Sequence, residues 1–355
     1  MKSFNEYVSI GHSDSTADAI TSYILDRHLE VDQLTRYAVE CQIKDQHVTL
    51  AGEVTSKAKF DKDDLTGMVR EAISRIGYTN EYAKKWPDSA TLNASKVTVD
   101  FHLGQQSPDI AQGVDADGWG DQGVFCGMAT GDAQHGFMPL SRYYSNAIGK
   151  AIYNMALNGD LPVGLDIKTL VTTDENFVER VIVAAPMLPS DETTAKCGIS
   201  KIIHDLIPSG CGPDEIIING TGAFVIHSSV GDCGTTGRKL AVNFYGIDCP
   251  IGGGAPWSKD GTKADVALNL MCRHRAVREL VANPDMKTVY VKMACCIGKP
   301  EVQVAVFDAK WNQIKETTEK LSVRNVVQAL KLDKPIYFNL CKNGLFTKVD
   351  ALARF

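Results

Sequence analysis

Residues 36–54 read Arg36-Tyr37-Ala38-Val39-Glu40-Cys41-Gln42-Ile43-Lys44-Asp45-Gln46-His47-Val48-Thr49-Leu50-Ala51-Gly52-Glu53-Val54, and this stretch decides the fold class. Tyr37, Val39, Cys41 and Ile43 fall on one face of an extended chain, with Ala38, Glu40 and Gln42 on the other. Val48, Leu50 and Val54 repeat the pattern against Thr49, Ala51 and Glu53. The turn Asp45-Gln46 joins the runs into a hairpin whose polar face carries both Glu40 and Glu53. Further strands are expected at 97–103, 177–184, 215–218, 288–295 and 302–307. Helical periodicity marks 15–29, where Ala17, Ile20 and Ile24 share a stripe, and 264–281, with shorter patterns at 144–157 and 325–330. Strands that arrive as hairpins between helices indicate an α+β fold with mixed or antiparallel sheets. Residues 105–123, rich in Gly, Asp and Gln, read as a long functional loop.

Composition narrows the function classes. The chain has 355 residues, 37 Lys+Arg against 43 Asp+Glu, a net charge of −6, 44% hydrophobic and 23% charged residues. These are ordinary globular proportions and exclude a disordered, collagenous or coiled-coil chain. The length corresponds to two or three domains, each able to bury a core. The acidic balance argues against nucleic-acid binding, which needs a broad basic surface. No apolar run approaches the ~20 residues that span a bilayer. The opening Met1-Lys2-Ser3-Phe4-Asn5-Glu6 lacks the apolar core of a signal peptide, so a cytoplasmic protein is expected. The ten cysteines contain no C-x-x-C pair and are expected to be reduced and mostly buried.

Four polar clusters carry chemistry. Gly11-His12-Ser13-Asp14-Ser15 leads into a helix, where free amides and the helix dipole suit an anion. His12 and Asp14 there either hold a polar ligand and a metal ion, or Ser13, Asp14 or Ser15 simply caps the helix. Gly118-Trp119-Gly120-Asp121-Gln122-Gly123 matches G-x-G-x-x-G in letters, but no buried strand precedes it, so it is not a dinucleotide fingerprint. It is either a surface turn or a glycine loop carrying a carboxylate to a ligand. Gly231-Asp232-Cys233-Gly234-Thr235-Thr236-Gly237-Arg238-Lys239 and Gly252-Gly253-Gly254 with Lys259, Asp260, Lys263 and Asp265 are not Walker loops. Together they alternate cations, carboxylates and glycines, as a polyphosphate–magnesium site requires.

With these residues in view the chain resembles methionine adenosyltransferase, also called S-adenosylmethionine synthetase. The family's G-H-P-D-K stands here as Gly11–Ser15, G-G-E-[IV]-T as Ala51-Gly52-Glu53-Val54-Thr55, and Q-S-P-D-I-x-Q-G-V intact as Gln106–Val114. G-A-G-D-Q-G becomes Gly118–Gly123, G-D-C-G-x-T-G-R-K is kept at Gly231–Lys239, and G-G-G-A-F-S-G-K-D becomes Gly252–Asp260. The P-I-Y segment recurs at Pro335-Ile336-Tyr337, so the resemblance runs nearly end to end. It implies three similar α+β domains with mixed sheets about a pseudo-threefold axis, set here at 1–105, 106–230 and 231–355, with discontinuous domains allowed.

The resemblance also implies a reaction. The thioether sulfur of L-methionine attacks C5′ of ATP, and the released tripolyphosphate is hydrolysed to pyrophosphate and phosphate. A thioether is a neutral nucleophile with no proton to lose, so no Ser–His–Asp machinery is needed. Stabilising the anionic leaving group dominates. By motif, His12 lies near the ribose and the 5′ oxygen. Lys168, Arg238, Lys239, Lys259 and Lys263 surround the tripolyphosphate. Asp14 and Asp265 hold two Mg²⁺, and Glu40 holds one K⁺. Glu53, Gln106, Asp121 and Asp232 contact methionine or the adenosyl part, and Phe224 stacks on adenine. The family's sites form between two subunits of a homodimer or dimer of dimers, so the residues of one site come from two chains.

The chain departs from the family at Ser15, where a phosphate-binding Lys is usual, and at Ser13, Ala223 and Pro256-Trp257. Residues 115–118 are several residues shorter than the usual loop. Ser15 and the short loop leave two alternatives beside a synthetase: a tripolyphosphate or ATP hydrolase, and a non-catalytic partner subunit.

Overall fold

The computed structural model describes residues 2–104, 117–131 and 133–346. Its strands are β1 Lys2–Val8, β2 Arg36–Lys44, β3 His47–Thr55, β4 Thr98–Gly104, β5 Gly123–Thr130, β6 Lys168–Asp174, β7 Phe177–Ala184, β8 Glu215–Ile218, β9 Gly234–Thr235, β10 Thr288–Cys295, β11 Glu301–Phe307 and β12 Gln313–Lys320. The helices longer than five residues are α1 Ser13–Val31, α2 Lys62–Ile76, α3 Leu140–Asn158, α4 Glu192–Leu206, α5 Ala264–Ala282, α6 Val323–Leu330 and α7 Tyr337–Asn343. They form an α+β fold with three four-stranded sheets, ordered β4-β3-β2-β9, β1-β6-β7-β8 and β12-β11-β10-β5.

A unit recurs three times: a 19-residue helix, an antiparallel hairpin, then a shorter helix. The long helices are α1, α3 and α5, and the hairpins are β2–β3, β6–β7 and β10–β11. In the first two units the strand after the second helix returns parallel, β4 to β3 and β8 to β7. In the third, β12 follows the hairpin directly, before the short helix, and adds antiparallel to β11.

The fourth strand of each sheet comes from outside its unit. β1, which precedes the first unit, pairs with β6 of the second. β5 precedes the second unit and pairs with β10 of the third, and β9 precedes the third and pairs with β2 of the first. Each unit thus receives a strand from the segment before its predecessor, and the exchange closes in a cycle. That is the pseudo-threefold arrangement the resemblance implied, reached without an internal sequence repeat. Each sheet crosses an expected division: the sheet of β1 that at 105, the sheet of β5 that at 230, and the sheet of β9 both.

The β2–β3 hairpin pairs Glu40 with Ala51 and Ala38 with Glu53, with Asp45 at φ 53° in the turn. Tyr37, Val39, Cys41, Ile43, Val48 and Leu50 are buried against the helices, while Glu40 and Glu53 face outward on one side. α1 is buried almost throughout, because it packs against β2, β9, α2 and α7 rather than lying on a surface. Its polar positions are therefore buried too, and each of its inner carboxylates bonds a backbone N–H. Asp14 accepts from Thr235, Asp18 from Gly237, and Asp26 from Tyr337 and Phe338, all at 2.9 Å. Asp26 thereby anchors the start of α7 to α1.

All ten cysteines are free, five of them buried and only Cys197 and Cys296 exposed. Among the described residues no helix is long and apolar enough to cross a membrane.

Candidate active site

The site is built where β9 and the residues after it meet the first turn of α1. Gly234 makes this approach possible: a Cβ there would come within 2.2 Å of the Ser13 carbonyl oxygen. His12 is the N-cap of α1, and its Nδ1 accepts from the Asp14 N–H at 3.2 Å. The cap is thus His12, not Ser13, Asp14 or Ser15. That releases the Asp14 carboxylate for other partners. One oxygen takes the Thr235 N–H and the other the Lys239 ammonium, with the Arg238 Nε 3.7 Å from Oδ1.

These charges set protonation. Burial, then the Lys168 and Lys239 ammonium groups, push the His12 imidazole down to about 3, so it is neutral at physiological pH. Burial alone would raise the Asp14 carboxyl. The Lys239 and Thr235 hydrogen bonds outweigh it and hold the group below its usual range. Asp18 lies one turn further along α1. Burial raises its carboxyl well above the usual value, against the Gly237 N–H and with help from the Asp14 and Glu40 charges. Asp166, two residues before Lys168, is raised to about 6 by burial, against the Ser228 N–H and Lys168.

A second group lies on the glycine-rich segment before α5. The Lys259 ammonium is 2.6 Å from one oxygen of Asp265, and the Gly254 N–H is 2.7 Å from the other. Gly253 has φ 69°, and a Cβ on it would meet the Asp265 Oδ1 at 2.7 Å, so the carboxylate needs glycine there. Lys263 is the N-cap residue of α5, and its side chain makes no ion pair among the described residues.

Glu40 links the two groups. Its carboxylate accepts from the Thr236 hydroxyl on one side and the Ser258 hydroxyl, at 3.1 Å, on the other. The segment carrying Lys259 is fixed to β2 by the Val39 N–H to Ser258 carbonyl bond at 3.0 Å, the Asp260 N–H to Tyr37 carbonyl bond at 3.0 Å, and the Tyr37 N–H to Asp260 carboxylate bond at 2.9 Å. Among the described residues no hydrogen bond or ion pair joins the His12–Asp14–Lys239 group directly to Lys259–Asp265.

The remaining positions fall around these groups. Lys168 is exposed at the start of β6, opposite Val8. Glu53 is exposed beside Ala38, which bridges to Lys259. Asp121 is exposed and accepts the Gln122 N–H at 2.8 Å, just before Val124 and Phe125, against which Gly252 packs. The loop before it is anchored by Trp119, which is fully buried and donates its indole N–H to the Leu321 carbonyl at 3.1 Å. Phe224 is half-buried and Asp232 exposed. Gln106 lies outside the described residues.

Sequence reasoning missed Asp18, Asp166, Thr236 and Ser258. Asp18 had a signal, since it stands four residues after Asp14 on one helix and so shares its face. Asp166 is two residues from Lys168, on the same side of an extended chain. Thr236 and Ser258 sat inside recognised motifs, and only the strand pairing shows that both hydroxyls reach Glu40.

A metal ion needs oxygen donors. Among the described residues no three His, Cys, Asp or Glu side chains converge to hold one. Asp14 and Asp265 each present one carboxylate in a separate group, which suits Mg²⁺ that takes its other oxygens from phosphate and water. Glu40, with two hydroxyl oxygens against it, offers an oxygen-only set compatible with K⁺.

The chain is similar to known proteins over nearly its whole length. Residues 3–108 match the family model described as S-adenosylmethionine synthetase, N-terminal domain, and residues 226–353 match the one described as its C-terminal domain. The chain is 33% identical to the S-adenosylmethionine synthase of Gluconacetobacter diazotrophicus over 99% of this chain and 92% of that one. It is 33% identical to S-adenosylmethionine synthase 2 of Rhodospirillum rubrum over 96% and 91%. Among solved structures, an unusual S-adenosylmethionine synthetase from Campylobacter jejuni superposes with a TM-score of 0.86 at 29% identity, covering 97% of this chain and 94% of that one.

Proposed function

The chain belongs to the S-adenosylmethionine synthetase family, and from that membership we propose that it joins L-methionine to the adenosyl group of ATP and then hydrolyses the tripolyphosphate. The single observation that carries the reading is the pair of ammonium–carboxylate groups, Lys239 on Asp14 and Lys259 on Asp265, flanking Glu40 on glycine-built loops. Nothing in the described residues favours the hydrolase or partner-subunit alternatives.

The difficulty of the reaction is the departing chain of phosphates, and the proposed work of the residues is electrostatic. Lys239 and Lys259 are kept beside the site by the carboxylates they neutralise, and exchange those partners for an anion when it arrives. The phosphate oxygens compete for both ammonium groups, and Arg238, Lys168 and Lys263 add three more cations. Each tenfold in rate needs only ~1.4 kcal/mol of differential stabilisation. Neutral His12, at the start of α1, donates a hydrogen bond toward the 5′ oxygen as charge develops there, without titrating near neutral pH. Asp14 and Asp265 would hold Mg²⁺ once their lysines bond phosphate, and Glu40, with the Thr236 and Ser258 hydroxyls beside it, would hold K⁺. Bound Mg²⁺ supplies charge neutralisation on the phosphate oxygens.

Glu53, Gln106, Asp121, Asp232 and Phe224 are assigned to methionine and the adenosyl part. The two ionic groups are assigned to different sites of a homodimer, the first group of one chain facing the second group of its partner. The outward face of β2, β3 and β4, which carries Glu40 and Glu53, is the proposed dimer surface.

The test is a steady-state assay with ATP, L-methionine, Mg²⁺ and K⁺. S-adenosylmethionine should form, and Lys259→Ala should lower kcat/KM by about a hundredfold or more. Product no higher than in the Lys259→Ala control would overturn the reading. Phosphate release from tripolyphosphate without S-adenosylmethionine formation would favour the hydrolase.

A further inference from the structure

Residues 223–226, the segment that carries Phe224, belong to no helix or strand. Among the described residues two hydrogen bonds fix its backbone. The Met187 N–H donates to the Phe224 carbonyl at 2.9 Å, and the His227 Nδ1 lies 2.7 Å from the Val225 carbonyl oxygen. The proposed reaction gives His227 no role.

The imidazole is 2% exposed, and its neighbours determine where its proton sits. A carbonyl only accepts, so Nδ1 carries the hydrogen and donates it to Val225. Nε2 is then an acceptor, and the Tyr82 hydroxyl, 2.7 Å away, donates to it. The Tyr82 oxygen in turn accepts the Leu165 N–H at 3.1 Å. Burial pushes the imidazole down to about 4, against the Val225 bond, so this neutral tautomer persists at neutral pH. Trp86 packs against the ring edge-on, with centroids 4.5 Å apart, and the His227 N–H donates to the Ala90 carbonyl at 3.0 Å.

A chain of hydrogen bonds thus runs from Leu165 through Tyr82 and His227 to Val225. Leu165 stands three residues before Lys168, on the way into β6, and Val225 follows Phe224. The chain therefore ties the segment proposed to meet adenine to the segment that leads to a phosphate-binding lysine. Ser228 makes a second tie beside it. Its N–H donates to the Asp166 carboxylate at 3.0 Å, its hydroxyl accepts the Leu92 N–H at 2.9 Å, and its backbone is held at φ 58°, uncommon for a residue with a side chain.

We propose that His227 is a positioning residue for ATP: its Nδ1–H holds the Val225 carbonyl, and so sets where the Phe224 ring meets adenine. The proposal rests on the synthetase reading and deepens it at the adenine end of the site. Without the bond the segment is looser, and ATP must order it on binding. That cost falls on ground state and transition state alike, so it raises KM for ATP and leaves kcat in place.

The test combines steady-state kinetics with equilibrium binding of a nonhydrolysable ATP analogue, on the full chain. His227→Ala should raise both KM for ATP and the Kd of the analogue about threefold to tenfold. KM for methionine should not change, nor should hydrolysis of added tripolyphosphate, which has no base to stack. His227→Gln carries an amide that reaches Tyr82 but not Val225 and should share the rise. His227→Asn places an N–H near the position of Nδ1 and should recover part of it. Should the alanine variant fail to fold, the glutamine variant decides by the same readouts. An unchanged KM for ATP and unchanged Kd in the glutamine variant would overturn the proposal. So would kcat and tripolyphosphate hydrolysis falling together with both KM values unchanged, which marks loss of folded enzyme alone, or an asparagine variant no better than alanine. If the wild type makes no S-adenosylmethionine, the synthetase reading fails, while the analogue affinities still decide the role of His227. No binding of the analogue by wild type would overturn both.

Discussion

At the scale of single residues, α1 depends on acids that it buries. Asp26 is the clearest case for measurement, because it lies far from the loops that would hold substrate. Burial raises its carboxyl to about 6, against the opposing N–H bonds from Phe338 and Tyr337. A raised carboxyl favours the folded state only while protonated. That stability is fully present below the ordinary unfolded value and is lost as pH rises through about 6. Thermal melts of wild type and Asp26→Asn between pH 4.5 and 7 should therefore converge. The advantage of wild type should shrink by about 2 kcal/mol as Asp26 ionises. A gap independent of pH would show that Asp26 is ionised throughout. Aspartates at the start of α1 were legible in the sequence as ligand or cap candidates. That His12 itself caps the helix was not, since imidazole is not among the usual capping side chains.

At the scale of elements, the site depends on β9 lying directly on the first turn of α1. Gly234→Ala would drive a methyl into the Ser13 carbonyl and push β9 away from Asp14, breaking the Thr235 N–H bond. A loss of about 1–3 kcal/mol in denaturant unfolding is expected, together with a larger fall in activity than in stability. Full retention of both would refute the contact. The β2–β3 hairpin was readable because one face is buried and the other is not, which forces alternation. β12 was unreadable for the opposite reason. Ile314 is its lone apolar side chain, and its residues are mostly exposed at the sheet edge. α2 was overlooked although Asp61 and Asp64 form a capping box at its start, a signal present in the letters.

At the scale of the whole molecule, the cyclic exchange of β1, β5 and β9 ties the three units into one body. Its pairings join residues more than a hundred positions apart, so no local pattern announces them. The family motifs conveyed the threefold architecture, whereas composition and periodicity alone indicated only α+β. The same scale holds the proposed division of the site between chains. Arg238→Ala and Lys259→Ala should each be nearly inactive alone. Mixed and reassembled at equal amounts, they should recover about a quarter of wild-type activity, because half the dimers then carry one intact site. No recovery would place both groups in a single chain's site. The most direct test of the central claim is a crystal structure with a nonhydrolysable ATP analogue, methionine and Mg²⁺. The account predicts phosphate oxygens within ~4 Å of the ammonium groups of Lys239 and Lys259, the latter from the partner chain. Phosphates bound away from both lysines would contradict it.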